Sequence, residues 1–310
     1  ICLILLFVLS NLNFQFIERK FIQGELNIRI VFYTFLIILL VSLIGLLDDG
    51  YSYRYDHISS DLIELQDSRT NSLIIDGDSC FERNIEEICI IDRKERTSIY
   101  NFGDSHASTL SLYLASNLES YNFIDLTGCI KYIDHLSTSK ECLDRGYDIE
   151  SYNNYLKFIK NSIVIYFIDS TMEIKKFNFE DFDNQVSTTL NRILENNNKL
   201  LLVYPVPQYD IGIPLQIIQK NLDINSTVSM DYLNFLNNEE ISFTYLTYDK
   251  FKNKNIYRIC PEKVFCDTFI IAECVGAING TLYYYDESHL AKDGAELVGL
   301  EIVKTIKDLD

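Results

Sequence analysis

Short apolar segments alternate with helix-compatible segments from about residue 97 onward, and this alternation restricts the possible folds more than any other feature. The segments 162–168 and 200–204 are apolar almost throughout, which is typical of parallel strands buried on both faces. Alternating strands and helices predict a three-layer α/β/α domain with a parallel sheet. The strands are predicted at 98–102, 122–126, 162–168, 200–204 and 242–246, and the helices at 106–118, 149–160, 179–197, 228–238 and 291–307.

A second strong signal lies near the start of the chain. Residues 30–47, IVFYTFLIILLVSLIGLL, form an uncharged run of 18 residues, which is long enough for a transmembrane helix. A buried core helix would show a polar stripe, and a signal peptide would be shorter and would come first. Because basic loops stay in the cytoplasm, we expect the chain after Leu47 to lie outside the inner membrane. Three basic residues precede the run and two acidic residues follow it (Arg19, Lys20, Arg29; Asp48, Asp49).

The chain length bounds the number of domains, and the net charge restricts the possible binding partners. The 310 residues are enough for one large or two ordinary domains. The net charge of −18 at pH 7 argues against binding to nucleic acid and against adsorption to anionic lipid. The chain begins inside another apolar segment, 1–12, and without Met, so we expect it to be part of a longer protein.

The cysteines agree with an exported domain. Seven of the eight follow residue 47, and they contain no C-x-x-C pair of the kind that binds zinc. Local disulfides are expected in an oxidising compartment, while the alternative is that these cysteines are small buried apolar residues. Close spacing predicts Cys80–Cys89, Cys129–Cys142 and one pair among Cys260, Cys266 and Cys274, leaving one free thiol.

Two short motifs carry candidate catalytic groups. In NFGDSHAST, 101–109, Ser105 follows the first strand and begins the first helix, so its N–H points toward an approaching anion. In YYYDESHLAKDGAELVG, 283–299, Asp286 precedes His289 by three residues, so its carboxylate can fix the imidazole tautomer for a serine nucleophile. Each motif alone also fits a simple helix cap, with His289 as a surface residue.

Together the motifs resemble the SGNH (GDSL-like) hydrolase superfamily, and in particular the SGNH domain of acyltransferase-3 membrane O-acyltransferases. The segments GDSHA, LTGC, VYPVPQY, CDTF and YYDESHLAKDGA occur in the family's order. FIERKF, 16–21, resembles the motif before that family's last membrane helix, with Lys20 in place of proline. The resemblance implies the last transmembrane helices of the membrane domain at 1–47, a connector or extension at 48–95, and an SGNH-hydrolase-like (flavodoxin-like) α/β domain at 96–310.

The resemblance also assigns roles to residues. Ser105 matches the nucleophile, His289 the general base and Asp286 its orienting acid, while the N–H groups of Ser105 and Gly128 match the oxyanion hole. The family's usual Asn after the third strand is absent from YFIDST, 166–171, and Ser170 or Thr171 is a candidate replacement. His106 follows the nucleophile, and we expect it to point away from Ser105 and to serve in packing.

The implied activity is O-acyl transfer, with acetyl as the expected group, through a serine acyl-enzyme onto a hydroxyl of a cell-envelope polysaccharide. The acyl donor would be acetyl-CoA at the membrane-embedded domain of the same protein, and this part of the chain would bind no cofactor or metal. The implied location is the bacterial inner membrane, with residues after Leu47 in the periplasm. The alternatives are a carbohydrate O-deacetylase or esterase, and a catalytically inactive glycan-binding module.

Overall fold

The computed structural model describes residues 72–128, 132, 149–220 and 222–309, together with positions 36, 39 and 40. The chain divides into two compact units, Ile1–Ser59 and Ser60–Asp310, and nearly all described residues belong to the second. The predicted membrane span, 30–47, lies outside the described residues except for three exposed helical leucines, Leu36, Leu39 and Leu40. Within the described part, no helix is both long and apolar enough to cross a bilayer.

The second unit is built around a mostly parallel sheet. Its strands are β1 (Ile74–Ile75), β2 (Asp78–Ser79), β3 (Cys89–Ile91), β4 (Ser98–Gly103), β5 (Asn122–Thr127), β6 (Ile163–Phe167), β7 (Lys199–Val203), β8 (Val228–Asp231), β9 (Ile256–Ile259), β10 (Glu273–Ile278) and β11 (Thr281–Leu282). In the described part of the chain, six of these form the main sheet, in the order β3-β5-β4-β6-β7-β9. Strand β4 is central, with Ile99 opposite both Phe123 and Ile163 in parallel register.

Helices cover both faces of this sheet. They are α1 (Ser105–Asn117), α2 (Ile149–Phe158), α3 (Ser170–Phe177), α4 (Phe179–Glu195), α5 (Ile213–Gln219), α6 (Tyr232–Leu236), α7 (Glu239–Asp249), α8 (Glu262–Phe265) and α9 (Lys292–Lys307). Phe102, Tyr166 and Leu202 pack in one apolar cluster with α2 and α4. Because side chains alternate along a strand, neighbours such as Ile165 and Leu201 face the other side, where α1 packs against α9. The predicted three-layer α/β/α architecture is therefore present.

The structure corrects the predicted sheet in three places. Strand β3 pairs antiparallel with β5, so the main sheet is mixed rather than wholly parallel. The segment 242–246, predicted as a strand, lies inside α7, and the last parallel strand is β9, which was not predicted. The carboxamide of Asn238 accepts the Ile241 N–H and so caps the start of α7. The buried residues of α7 recur at helical spacing (Ile241, Thr244, Thr247 and Tyr248). This spacing overrides the β-propensity of the segment Ser-Phe-Thr-Tyr-Leu, 242–246.

The predicted helix 228–238 is partly wrong. Its first four residues form β8, which pairs antiparallel with β10 in a second sheet of order β11-β10-β8. The Asp231 carboxylate accepts the N–H groups of Leu233 and Asn234, so the helix begins only after Asp231. The remaining residues form the short helix α6.

Residues before β4 extend the domain. Strands β1 and β2 form a short hairpin, and a Cys80–Cys89 disulfide joins the chain just after it to the start of β3. A second disulfide joins Cys266 to Cys274, and Cys260 keeps a free thiol. Both pairings confirm the prediction from spacing, whereas the predicted Cys129–Cys142 pair lies outside the described residues.

Candidate active site

Ser105 is held at the carboxyl edge of the sheet by a tight strand-to-helix turn. Strand β4 ends at Gly103, whose φ of +156° is unusual for other residues, and a Cβ there would lie 1.8 Å from the Phe167 carbonyl oxygen. Asp104 then caps α1 by accepting the His106 N–H at 2.9 Å. The glycine lets two parallel strands approach closely, and the cap starts a helix at Ser105.

The three predicted catalytic side chains come together in one hydrogen-bonded chain. Ser105 Oγ lies 2.7 Å from His289 Nε2, and His289 Nδ1 lies 2.7 Å from Asp286 Oδ2. Ser105 and His289 are 184 residues apart in sequence, so tertiary folding alone brings them into contact. With Nδ1 donating to the carboxylate, Nε2 is the acceptor that faces the serine hydroxyl.

Asp286 is fixed by the turn that it shares with the histidine. Its Oδ1 accepts the N–H groups of Ser288 at 2.9 Å and of His289 at 2.7 Å. Burial by itself would raise the pKa of Asp286, but the hydrogen bonds from His289 and Ser288 outweigh it and lower the pKa below 3.8. Asp286 is therefore ionised at neutral pH, as a group that orients an imidazole must be.

Two other rings contact the His289 ring. Tyr285 stacks on it with ring centroids 5.3 Å apart and planes 13° apart. The His106 ring lies 4.4 Å from the His289 ring, with the planes 31° apart. His106 is buried, as expected for a packing residue, but no sequence pattern predicts that the residue after the serine contacts the distal histidine.

A second hydrogen-bonded chain runs behind the serine, and sequence reasoning missed it. Asp104 Oδ2 accepts the Asp169 N–H at 2.8 Å, so the loop after β6 is tied to the cap of α1. Asp169 Oδ1 in turn accepts the Gln208 Nε2–H at 3.1 Å and the Met172 N–H at 3.1 Å, which caps α3. The loops after β4, β6 and β7 are thus joined at the carboxyl edge of the sheet, where ligand sites form in such folds.

The two predicted oxyanion donors differ in availability. At the helix start the Ser105 N–H has no acceptor in the part of the chain that the structure describes. The Gly128 N–H, by contrast, donates to the Gly103 carbonyl at 2.9 Å, which continues the parallel ladder between β4 and β5. Close packing explains why a glycine occupies position 128, because a Cβ there would lie 2.9 Å from Glu82 Cα. The prediction that Gly128 donates to an oxyanion is therefore not supported by this geometry.

A family model described as "SGNH domain (fused to AT3 domains)" matches residues 76–304. The chain belongs to this SGNH family. The match begins at the hairpin before β3 and ends in α9, so it includes both the serine turn and the Asp286–His289 turn.

Several solved structures are similar to this chain at low sequence identity. The periplasmic domain of a lipopolysaccharide acetyltransferase from Salmonella ser. Paratyphi A aligns with a TM-score of 0.56 and 17% identity, covering 82% of this chain and 99% of that one. A putative SGNH hydrolase from Slackia heliotrinireducens aligns with a TM-score of 0.41 and 10% identity, covering 68% and 98%. A carbohydrate acetylesterase from Sinorhizobium meliloti gives 0.40 and 12%, covering 69% and 100%. No curated protein matches the chain significantly.

The other candidate side chains near the site are buried in the SGNH domain. Ser170 and Thr171 are buried at the start of α3, and their hydroxyl groups have no hydrogen-bond partner in the described part of the chain. Tyr204, Tyr283 and Tyr284 are buried in the core. Among the described residues, no group of three or more His, Cys, Asp or Glu side chains is arranged to hold a metal ion.

Proposed function

We propose that the SGNH domain transfers an acyl group, with acetyl as the expected group, to a hydroxyl of a cell-envelope polysaccharide. The observation that carries the proposal is the continuous hydrogen-bonded chain Ser105–His289–Asp286, with 2.7 Å at both links. The family supports transfer because its SGNH domains are fused to AT3 domains. The structural relative from Salmonella, described as a lipopolysaccharide acetyltransferase, supports an envelope glycan as the acceptor.

The first half of the reaction would acylate the serine. His289 Nε2 takes the proton of Ser105 Oγ, and Oγ attacks the acyl carbonyl to form a tetrahedral intermediate. Its oxyanion lies at the start of α1, where the Ser105 N–H is available and the helix dipole favours negative charge. Collapse breaks the bond to the donor, and His289 returns the proton to the leaving group.

The second half would transfer the acyl group. His289 accepts a proton from a sugar hydroxyl, whose oxygen attacks the ester carbonyl of acyl-Ser105. The ester bond to Ser105 Oγ breaks, and the proton returns through His289 to Oγ. Ionised Asp286 stabilises the imidazolium that forms twice per cycle. In this proposal acetyl-CoA supplies the acyl group at the membrane-embedded domain of the full protein. The SGNH domain itself holds no cofactor.

Kinetics of single and double variants test whether the three side chains act as one unit. Ser105→Ala and His289→Ala should each lower acyl transfer ~10³-fold or more, and the double variant should be about as slow as either. Asp286→Asn should lower it somewhat less, because the imidazole still samples the right tautomer. A fluorophosphonate probe should label the unmodified chain and not Ser105→Ala. Ser116→Ala, an exposed serine at the end of the same helix, is the matched control and should behave as the unmodified chain.

Losses that multiply in the double variant, or a folded Ser105→Ala chain with near-normal activity, would contradict the proposal and leave Ser105 as a helix cap. The same three groups can also activate water, which would make the domain a carbohydrate esterase. Products formed from an acetyl donor and envelope polysaccharide separate the two activities, because transfer gives O-acetylated glycan and hydrolysis gives acetate. A chain that the fluorophosphonate does not label would instead indicate an inactive glycan-binding module.

A further inference from the structure

A cavity of about 420 Å³ lies beside the loop that follows β7. One wall comes from this loop and α5, and the other from β8, α6 and the start of α7. The volume is within the range of about 300–1,000 Å³ that is usual for small-molecule sites. The polar side chains in its lining include Gln208, Asp210, Lys220, Asn234 and Asn238.

The cavity wall is bonded directly to the candidate active site. Gln208 Nε2–H donates to Asp169 Oδ1 at 3.1 Å, and Asp169 is tied to the cap of α1. The Tyr209 N–H donates to the Glu287 carbonyl at 2.8 Å, inside the Asp286–His289 turn. Gly212 packs against the same turn, where a Cβ would lie 3.2 Å from Asp286 Cα. Segment 208–212 therefore links the cavity, which residues 208–211 line, to the loops that hold the candidate active site.

The chemistry of the cavity favours an uncharged ligand with many hydroxyl groups. Its lining has one acidic and one basic side chain, Asp210 and Lys220, although the chain as a whole carries a net charge of −18. Carboxamides both donate and accept hydrogen bonds, as sugar hydroxyls do. The Asn234 carboxamide forms no hydrogen bond within the described part of the chain, and Asn238 uses only its oxygen, for the Ile241 N–H at 2.9 Å.

We propose that this cavity binds the acceptor of the transfer reaction as one or two uncharged sugar rings, with Asn234 and Asn238 contacting ring hydroxyls. The inference rests on the proposed function, since it needs an acceptor. In the transfer step the acceptor hydroxyl loses its proton to His289, its oxygen forms the new ester bond, and the bond from the acyl carbon to Ser105 Oγ breaks.

Two variants of one exposed residue test the cavity. Asn234→Ala removes the free carboxamide and should lower transfer about 3–10-fold, the effect of one or two lost hydrogen bonds. Asn234→Trp places a bulky ring in the wall and should lower transfer more than about 10-fold by exclusion. Asn237→Ala, three residues along and outside the cavity lining, is the matched control and should leave transfer and hydrolysis unchanged.

The assay uses the detergent-solubilised full chain, p-nitrophenyl acetate as donor, and surface polysaccharide isolated from cells that lack the protein as acceptor. The ratio of O-acetyl transfer to ester hydrolysis should fall in both Asn234 variants, with the thermal midpoint of each confirming a folded chain. An unchanged ratio in the two variants overturns the cavity proposal and leaves the proposed function intact. Absence of transfer by the unmodified chain overturns the proposed function and, with it, the acceptor site.

Discussion

The His289 imidazole contacts a second, buried imidazole, and this contact gives His106 a testable role. The His106 side chain is 2% exposed, its ring lies 4.4 Å from that of His289, and its Nδ1 lies 3.5 Å from Asp104 Oδ1. Burial disfavours the imidazolium form of His106, but Asp104 and the charges of Asp169 and Asp286 outweigh it and raise its pKa above 6.5. The buried ring packs against the imidazole that moves protons in the proposed mechanism.

We expect the ring contact, rather than the charge, to orient His289. His106→Ala should lower the rate of ester hydrolysis about 10–100-fold, because a misplacement of about 1 Å has an effect of this size. His106→Phe keeps a flat ring at the contact and should recover most of that rate. The measurement is kcat and KM for p-nitrophenyl acetate, with the thermal midpoint of each variant as a check on folding. Equal rate losses in the two variants would contradict the orienting role.

The buried carboxyl group of Asp125 should make the stability of the fold depend on pH. It is 2% exposed near the end of β5, and burial raises its pKa from 3.8 to about 6 against the opposing hydrogen bonds from Ser111 and Thr127. Because the folded state holds this proton more tightly than the unfolded state, the stabilisation is present below about pH 4 and is lost as the pH rises through about 6. At neutral pH the ionised, buried carboxylate destabilises the fold.

Asp125→Asn should therefore stabilise the protein at high pH. An asparagine can still accept the Thr127 N–H, so the gain in unfolding free energy should be ~2–3 kcal/mol near pH 8 and shrink toward zero near pH 4. Denaturant unfolding of both chains across this range measures the difference. Asp308→Asn, at an exposed position after α9, is the control. A pH-independent difference for Asp125→Asn would contradict the assignment.

At the scale of elements, the two disulfides of the described residues each join neighbouring parts of the second unit. Cys80–Cys89 ties the β1–β2 hairpin region to the edge strand β3. Cys266–Cys274 ties the end of α8 to β10, in the cluster that includes Phe235 and Ile241 beside the proposed acceptor cavity. Each link closes a short loop, with sequence separations of 9 and 8.

Loss of the Cys266–Cys274 link should weaken the second sheet. The double variant Cys266→Ala/Cys274→Ala should lower the unfolding free energy by about 2–3 kcal/mol, the amount expected for a loop of this length. Cys260→Ala, which removes a free thiol, is the control and should change stability much less. Mass spectrometry of the unreduced, denatured and alkylated chain should find Cys260 alkylated and these two pairs unmodified. Alkylation of all five thiols would contradict the pairing.

At the scale of the whole molecule, the membrane topology of the chain decides in which compartment the SGNH domain lies. We expect residues 30–47 to cross the inner membrane with the domain outside, because Arg19, Lys20 and Arg29 precede the run. Disulfides in the second unit fit an oxidising compartment. A reporter that is active only in the periplasm should work when fused after Tyr51 and fail when fused after Glu25. The opposite pattern would reject the topology.

The sequence alone determined the layered α/β architecture, because strands buried on both faces need apolar residues throughout and leave a clear pattern. It also indicated the candidate residues of the site, since Ser105, Asp286 and His289 lie in short motifs whose local geometry is set by caps and turns. Segments 228–238 and 242–246 were misread because local propensity there competes with capping by Asp231 and Asn238.

Only the tertiary structure decided which groups meet across the sheet. The His106–His289 contact, the Asp104–Asp169–Gln208 chain and the use of the Gly128 N–H by Gly103 each join residues from separate elements. Such contacts depend on strand order and register, and a local pattern in the sequence records neither. The acceptor cavity belongs to the same class, because its walls come from a loop of the main sheet and from a second sheet that the sequence did not predict.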